Sequence, residues 1–101
     1  METPKEFGAK LTAAREKAGK PSYRKLERLA IDRMGTGFAP TNETIRLYHA
    51  GAVTPEKADV MLVGFLATVY DCDIADLSET VSRHAEVVRD LLMVKRRCIA
   101  A

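Results

Sequence analysis

The feature that most constrains this chain is a set of three breaks, each built from glycine and proline, that cut its first 55 residues into short pieces. They are Gly19-Lys20-Pro21, Gly35-Thr36-Gly37-Phe38-Ala39-Pro40 and the stretch from Gly51 to Pro55. Glycine ends a helix cheaply because it adopts a left-handed backbone, and proline refuses to continue one. Ser22, Thr41 and Thr54 stand beside the three prolines, and a hydroxyl there can cap the helix that follows. Between breaks the apolar residues recur at spacings of three and four: Phe7, Leu11, Ala14 and Ala18, then Leu26, Leu29, Ala30 and Met34, then Ile45 and Tyr48. No alternating strand pattern and no internal repeat competes with this rhythm, so the expected class is all-α.

The boundaries follow from the same chemistry. Pro4 after Thr3 opens helix one, which Gly19 ends. Ser22 caps helix two, with Lys25 where a reciprocal capping box would need glutamate, and this helix runs to about Met34. Thr41 or Asn42 caps a short helix three, closed by Gly51. Thr54-Pro55-Glu56 is expected to start helix four, whose Ala58, Met61, Leu62, Phe65, Leu66 and Val69 form the densest apolar face of the chain and mark it as the central core helix. Asp71-Cys72-Asp73 interrupts the pattern, and Ile74, Leu77, Val81, Ala85, Val88 and Leu92 then follow helical spacing. Helix five either reaches Arg97 or divides near Ser78.

With 101 residues and 47% hydrophobic content, the chain can close one core. Charged residues interrupt every apolar run before the roughly 18 residues of a membrane span, and the opening Met-Glu-Thr-Pro-Lys lacks a signal-peptide pattern, so the expected location is the cytoplasm. Cys72 and Cys98 stand far apart without a CxxC pair, which argues against a zinc site or a disulfide framework. His84 has no second histidine or cysteine at ligand spacing, so no metal is expected. There is no glycine-rich phosphate loop, nucleophile elbow or placed histidine–carboxylate pair, so neither an enzyme, nor a cofactor, nor a small-molecule ligand is expected.

The formal net charge of +2 says little, but its distribution is uneven. Residues 10–33 carry eight basic against three acidic side chains, whereas residues 53–94 carry three basic against eight acidic. One end of the molecule can face phosphate; the other cannot.

That basic segment is helix two and its approach, and it precedes a short amphipathic helix. Ile45 and Tyr48, three apart, would pin helix three to the core, leaving Asn42, Glu43, Arg46 and His49 on the opposite face. A major groove admits one helix, and the N-terminal half of a recognition helix meets the base edges. Asn42, Glu43, Thr44 and Arg46 are therefore the candidate base readers: asparagine pairs with adenine, arginine with guanine, glutamate accepts from the cytosine amino group, and threonine touches a thymine methyl. The helix-two N-terminus, with Lys20, Ser22, Tyr23, Arg24, Lys25 and Arg28, and the cap Thr41 are the candidate phosphate contacts.

Leu11, Arg15-Glu16-Lys17-Ala18-Gly19, Ser22, Leu26, Thr44-Ile45, Tyr48, Gly51, Pro55, Leu66-Ala67-Thr68-Val69-Tyr70 and Ile74-Ala75-Asp76-Leu77 resemble the lambda-repressor-like or XRE helix-turn-helix family, over about residues 4–79. The resemblance implies a five-helix domain over residues 1–79, a third helix that reads duplex DNA, and a sequence-specific regulator, a phage or bacterial repressor or Cro-like protein. The family places glutamine after the serine that opens helix two and a small residue after its leucine, where this chain has Tyr23 and Glu27; its connection between helices two and three is also several residues longer.

Residues 80–101 read as a C-terminal helical extension. Its stripes, Val81, His84, Val88, Leu91 and Cys98 beside Val87, Leu91, Val94 and Cys98, either pack on the same domain or meet a partner helix in a homodimer. Lys95-Arg96-Arg97 can reach DNA or complement the helix C-terminus, and Ile99-Ala100-Ala101 resembles the small apolar end of bacterial degradation tags. His49 is expected to be a cationic partner of its helix end; Phe38 could be a wedge or anchor on DNA, but folding back onto the core is the commoner arrangement for a loop aromatic and is the one expected. The competing reading is a helical protein-interaction module, an antitoxin-like adaptor with a vestigial helix-turn-helix.

Overall fold

A computed structural model describes the backbone of residues 2–100 and the side chains of residues 2–91. Among the described residues it is all-helical, with six α-helices, one 3₁₀ turn and no strand. Helix α1 spans Pro4–Lys17, α2 Tyr23–Met34, α3 Asn42–His49, α4 Val60–Val69, α5 Ile74–Leu77 and α6 Glu79–Ala100, and the 3₁₀ turn is Pro55–Lys57.

The breaks act as their chemistry dictates. Thr3 caps α1 by accepting from the Glu6 amide at 3.1 Å, and Ser22 caps α2 by accepting from the Lys25 amide at 3.1 Å. The cap of α3 is Thr41, which accepts from the Thr44 amide at 3.2 Å. After α1 the chain turns through left-handed Gly19 (φ +91°) and Lys20 (φ +54°). A side chain is costly in that region, and the Lys20 amide offsets the cost by donating to the Arg15 carbonyl at 2.9 Å.

Two expected boundaries move. Thr54-Pro55 opens only the 3₁₀ turn, because Ala58 is extended (ψ 142°) and breaks the helix. Helix α4 instead starts after Asp59, whose side chain accepts from the Met61 amide at 2.9 Å while its own amide donates to the Tyr48 hydroxyl at 2.9 Å. At the far end, Ser78 is extended and fully buried and separates α5 from α6. Its hydroxyl accepts from the Val81 amide at 3.1 Å and donates to Glu2, whose other carboxylate oxygen accepts from the Glu79 amide at 2.8 Å. A residue from the start of the chain thus closes the N-terminus of the last helix.

The core is built by Phe7 and Leu11 of α1, Leu26 of α2, Ile45 of α3, Val63 and Leu66 of α4, Leu77 of α5 and Val81 of α6. The last helix therefore contributes to the core beyond residue 79. Met61, expected inside, is exposed: α4 is apolar on every side, so spacing alone does not rank its faces. Helix α1 crosses the end of α3 at unusually close range, since a Cβ on Gly8 would lie 2.5 Å from the Gly51 amide nitrogen. This crossing seats α3 on the rest of the molecule.

Beyond Val81 the last helix leaves the core, and Val87, Val88 and Leu91 are exposed. The readings of Val94, Lys95-Arg96-Arg97, Cys98 and Ile99-Ala100-Ala101 lie outside the described side chains. No described helix is long and apolar enough to cross a membrane.

Candidate nucleic-acid interface

Helix α3 has only eight residues, too few to persist without tertiary support. That support comes from three places. At its N-terminus the Asn42 amide donates to Glu27 Oε2 of α2 at 2.6 Å, and Asn42 Nδ2 approaches the same oxygen at 3.3 Å. In the middle Ile45 and Tyr48 are buried, with the Tyr48 ring edge-on to Phe7 at 6.1 Å and its hydroxyl held by Asp59. At its C-terminus the Thr12 hydroxyl of α1 donates to the His49 carbonyl at 3.1 Å.

His49 itself overturns its expected role. It is 5% exposed, on the inner face with Ile45 and Tyr48 rather than among the outward residues. The spacing explains this, because residue 49 lies four after Ile45 and shares its side of the helix. Nδ1 is 2.7 Å from the Ile45 carbonyl, which can only accept, so Nδ1 carries the proton and donates. Nε2 then accepts from the Tyr70 hydroxyl at 2.7 Å. Burial lowers the histidine pKa and the nearby Arg15 charge lowers it further, against the opposing effect of the Ile45 contact, so the ring is neutral rather than a cationic helix-end partner. Burial likewise holds the Tyr70 hydroxyl well above its ordinary range, leaving it a donor.

Tyr23, expected on phosphate, is half-buried beside this pair. The Arg15 guanidinium lies 4.2 Å over its ring and the His49 ring 5.5 Å away. Arg15 also donates from Nε to the Pro21 carbonyl at 2.8 Å, fixing the α1–α2 turn that presents Lys20 and Ser22. Nothing in the spacing of Arg15 foretold this bracing role, which depends on the turn bringing residues 15 and 23 together.

The outer side of α3 consists of Glu43, Arg46, Leu47 and Ala50, all exposed, with Asn42 and Thr44 half-buried at its N-terminal edge. Leu47 and Ala50 were missed, although their spacing from Glu43 places them on one face. Arg46 donates from Nε to Glu43 at 3.3 Å and from Nη2 to its other carboxylate oxygen. These bonds and the opposite charge hold Glu43 below and Arg46 above their ordinary pKa. Both groups are in water, where such a pair adds little stability, so Arg46 remains free to exchange partners.

On α2, Arg24, Lys25 and Arg28 are exposed, as are Lys20 and Ser22 ahead of it. Among the described residues the ion pairs are Lys10–Glu2, Arg46–Glu43 and Arg83–Glu79, and none engages these four cations. The first turn of α2 has no acidic residue to offset the positive end of its dipole. By spacing, Arg24, Glu27 and Arg28 share a side of α2, so Glu27's bond to Asn42 sets α3's beginning beside two arginines. All the sequence-designated residues thus fall on α2, α3 and the segments leading into them.

No protein-family model, curated protein or solved structure matches this chain.

Proposed function

We propose that this chain binds double-stranded DNA through α2 and α3 as a lambda-repressor-like or XRE-type helix-turn-helix regulator, a phage or bacterial repressor working in the cytoplasm. The observation that carries the reading is the outward side of α3, uncovered along Glu43, Arg46 and Leu47 while its inner side is fastened, next to cations that have no carboxylate partner among the described residues. Lys20, Arg24, Lys25 and Arg28, with the exposed caps Ser22 and Thr41, hold phosphates and set orientation. Arg46 leaves Glu43 for a guanine edge, Asn42 offers the amide functions that Glu27 does not use, and Leu47 adds apolar surface for a thymine methyl. Repression follows from occupancy, since a protein on its site excludes others from it.

Selection of bound fragments from a random duplex pool tests this. An enriched site whose preference at one position is relaxed by Arg46→Ala supports base reading by α3. Absence of enrichment, with the folded protein retaining no duplex, contradicts it.

One observation favours a second reading. Val87, Val88 and Leu91 expose apolar surface along α6, as a homodimer contact of the repressor or the docking face of an adaptor would. Light scattering and copurification separate these: a dimer that binds DNA belongs to the first reading, a heterologous protein complex without DNA binding to the second.

A further inference from the structure

The connection between α2 and α3 carries a side chain for which the fold has no use. Phe38 is 84% exposed, more than any other large hydrophobic residue among those described, whereas Phe7 and Phe65 are buried. It was expected to fold back, and it does not. The segment around it is nonetheless anchored. The amides of Phe38 and Ala39 both donate to the Gly35 carbonyl, at 3.3 and 3.0 Å, and Met34 and Ala39 on either side pack against the core. Gly35 leaves α2 with φ +83°, and a Cβ on Gly35 or Gly37 would find no neighbour within 4 Å, so the tip stands clear of other side chains. An aromatic ring is thus held out into solvent on a braced turn, three residues ahead of the Thr41 cap of α3.

We propose, resting on the DNA-binding reading above, that Phe38 is an apolar DNA contact that enters the groove beside α3. The surroundings select this occupant. The four exposed cations of α2, Arg24, Lys25, Arg28 and Arg33, take part in no ion pair among the described residues and outnumber its one exposed carboxylate, Asp32. A partner must therefore combine apolar surface with a negative rim, as a duplex does with thymine methyls, deoxyribose and easily opened base steps lying between rows of phosphate. A second copy of this chain would bring the same cations against them.

The chain contains no tryptophan, so Phe38→Trp introduces a single one at the tip, which can be excited selectively over the three tyrosines. On titration with mixed-sequence duplex DNA at low salt, its emission is expected to fall and shift to shorter wavelength. Phe38→Ala is expected to bind the same duplex roughly tenfold more weakly with an unchanged salt slope, since an apolar contact releases no counterions. Circular dichroism should be unaltered, because the ring supports nothing in the fold. Replacing thymine by uracil in the duplex assigns the contact: a loss larger in the unsubstituted protein than in Phe38→Ala identifies a methyl under Phe38, whereas an equal loss in both, which belongs to Leu47, or no loss in either places Phe38 on sugar or an opened step.

If duplex binding is salt-dependent but the tryptophan emission and the Phe38→Ala affinity do not change, Phe38 is idle and the proposal fails while the DNA reading stands. If no duplex binds, both fail. An emission shift that tracks protein concentration without DNA overturns the proposal in favour of self-contact.

Discussion

Helices α3 and α6 carry the same kind of sequence signal, apolar residues at helical spacing, yet the protein treats them differently. The short α3 is fastened at its start and along its inner side: Asn42 by Glu27, Tyr48 by Asp59, His49 by Tyr70 and the Ile45 carbonyl, with Ile45 in the core. The longer α6 buries Val81 and then exposes Val87, Val88 and Leu91. Periodicity declares which side of a helix is apolar; only neighbours decide whether that side is covered. In α3 the neighbours arrive from α1, α2 and the two residues that flank α4 and leave one face free, and such a one-sided element suits reading a groove.

The comparison breaks first at the α1–α3 crossing. Gly8→Ala would drive a methyl into the Gly51 backbone, which cannot yield as a flexible side chain would. The expected loss is about 3 kcal/mol, read from urea unfolding; an unchanged midpoint would show that α3 does not rest on this contact. Next, Glu27→Ala removes the acceptor at the start of α3 and should cost about 2 kcal/mol. It should also weaken DNA binding in protein that remains folded, whereas a purely structural contact would lower stability alone.

Tyr70→Phe is milder. It deletes the donor to His49 Nε2 and should cost about 1 kcal/mol. The pH dependence sharpens the point. The folded protein holds the His49 pKa below its ordinary 6.5, so below that pH the unfolded chain takes up the proton more readily and stability falls as acid is added. Melting temperatures between pH about 7 and about 5, above the carboxylate range, should slope downward in the natural protein and flatten in His49→Gln. A slope that survives His49→Gln would place the titrating group elsewhere. The smallest effect belongs to α6: replacing Val87 and Leu91 by serine should move monomer stability by no more than about 0.5 kcal/mol, and a larger, concentration-dependent change would reveal a partner on that face.

Much of this architecture was legible before any coordinates. The glycine–proline breaks placed α1, α2 and α3 and their caps, because those effects are local and belong to the residues concerned. The residues designated for DNA stand on two helices and their approaches, although two of them, Tyr23 and Asn42, are engaged within the protein by Arg15 and Glu27. What escaped were effects between distant segments. Asp59 rather than Thr54 begins α4 because Tyr48 takes its amide, and Ser78 ends α5 because Glu2 waits beside it. Nothing in the sequence paired Glu27 with Asn42; only the folded chain turns it into a clasp that holds the start of α3 on α2. Gly8 carried no warning, since its partner Gly51 is defined only when the helices cross. His49 is the exception: its four-residue distance from Ile45 already put it inside.

The most direct measurement is the affinity for mixed-sequence duplex DNA, followed by fluorescence anisotropy across a series of salt concentrations. The account predicts a straight line of log K against log salt whose steepness falls by about 0.9 for each phosphate contact removed, in Lys25→Ala and again in Arg28→Ala, with the fold intact. Binding that is absent, or whose salt dependence ignores both substitutions, would contradict it.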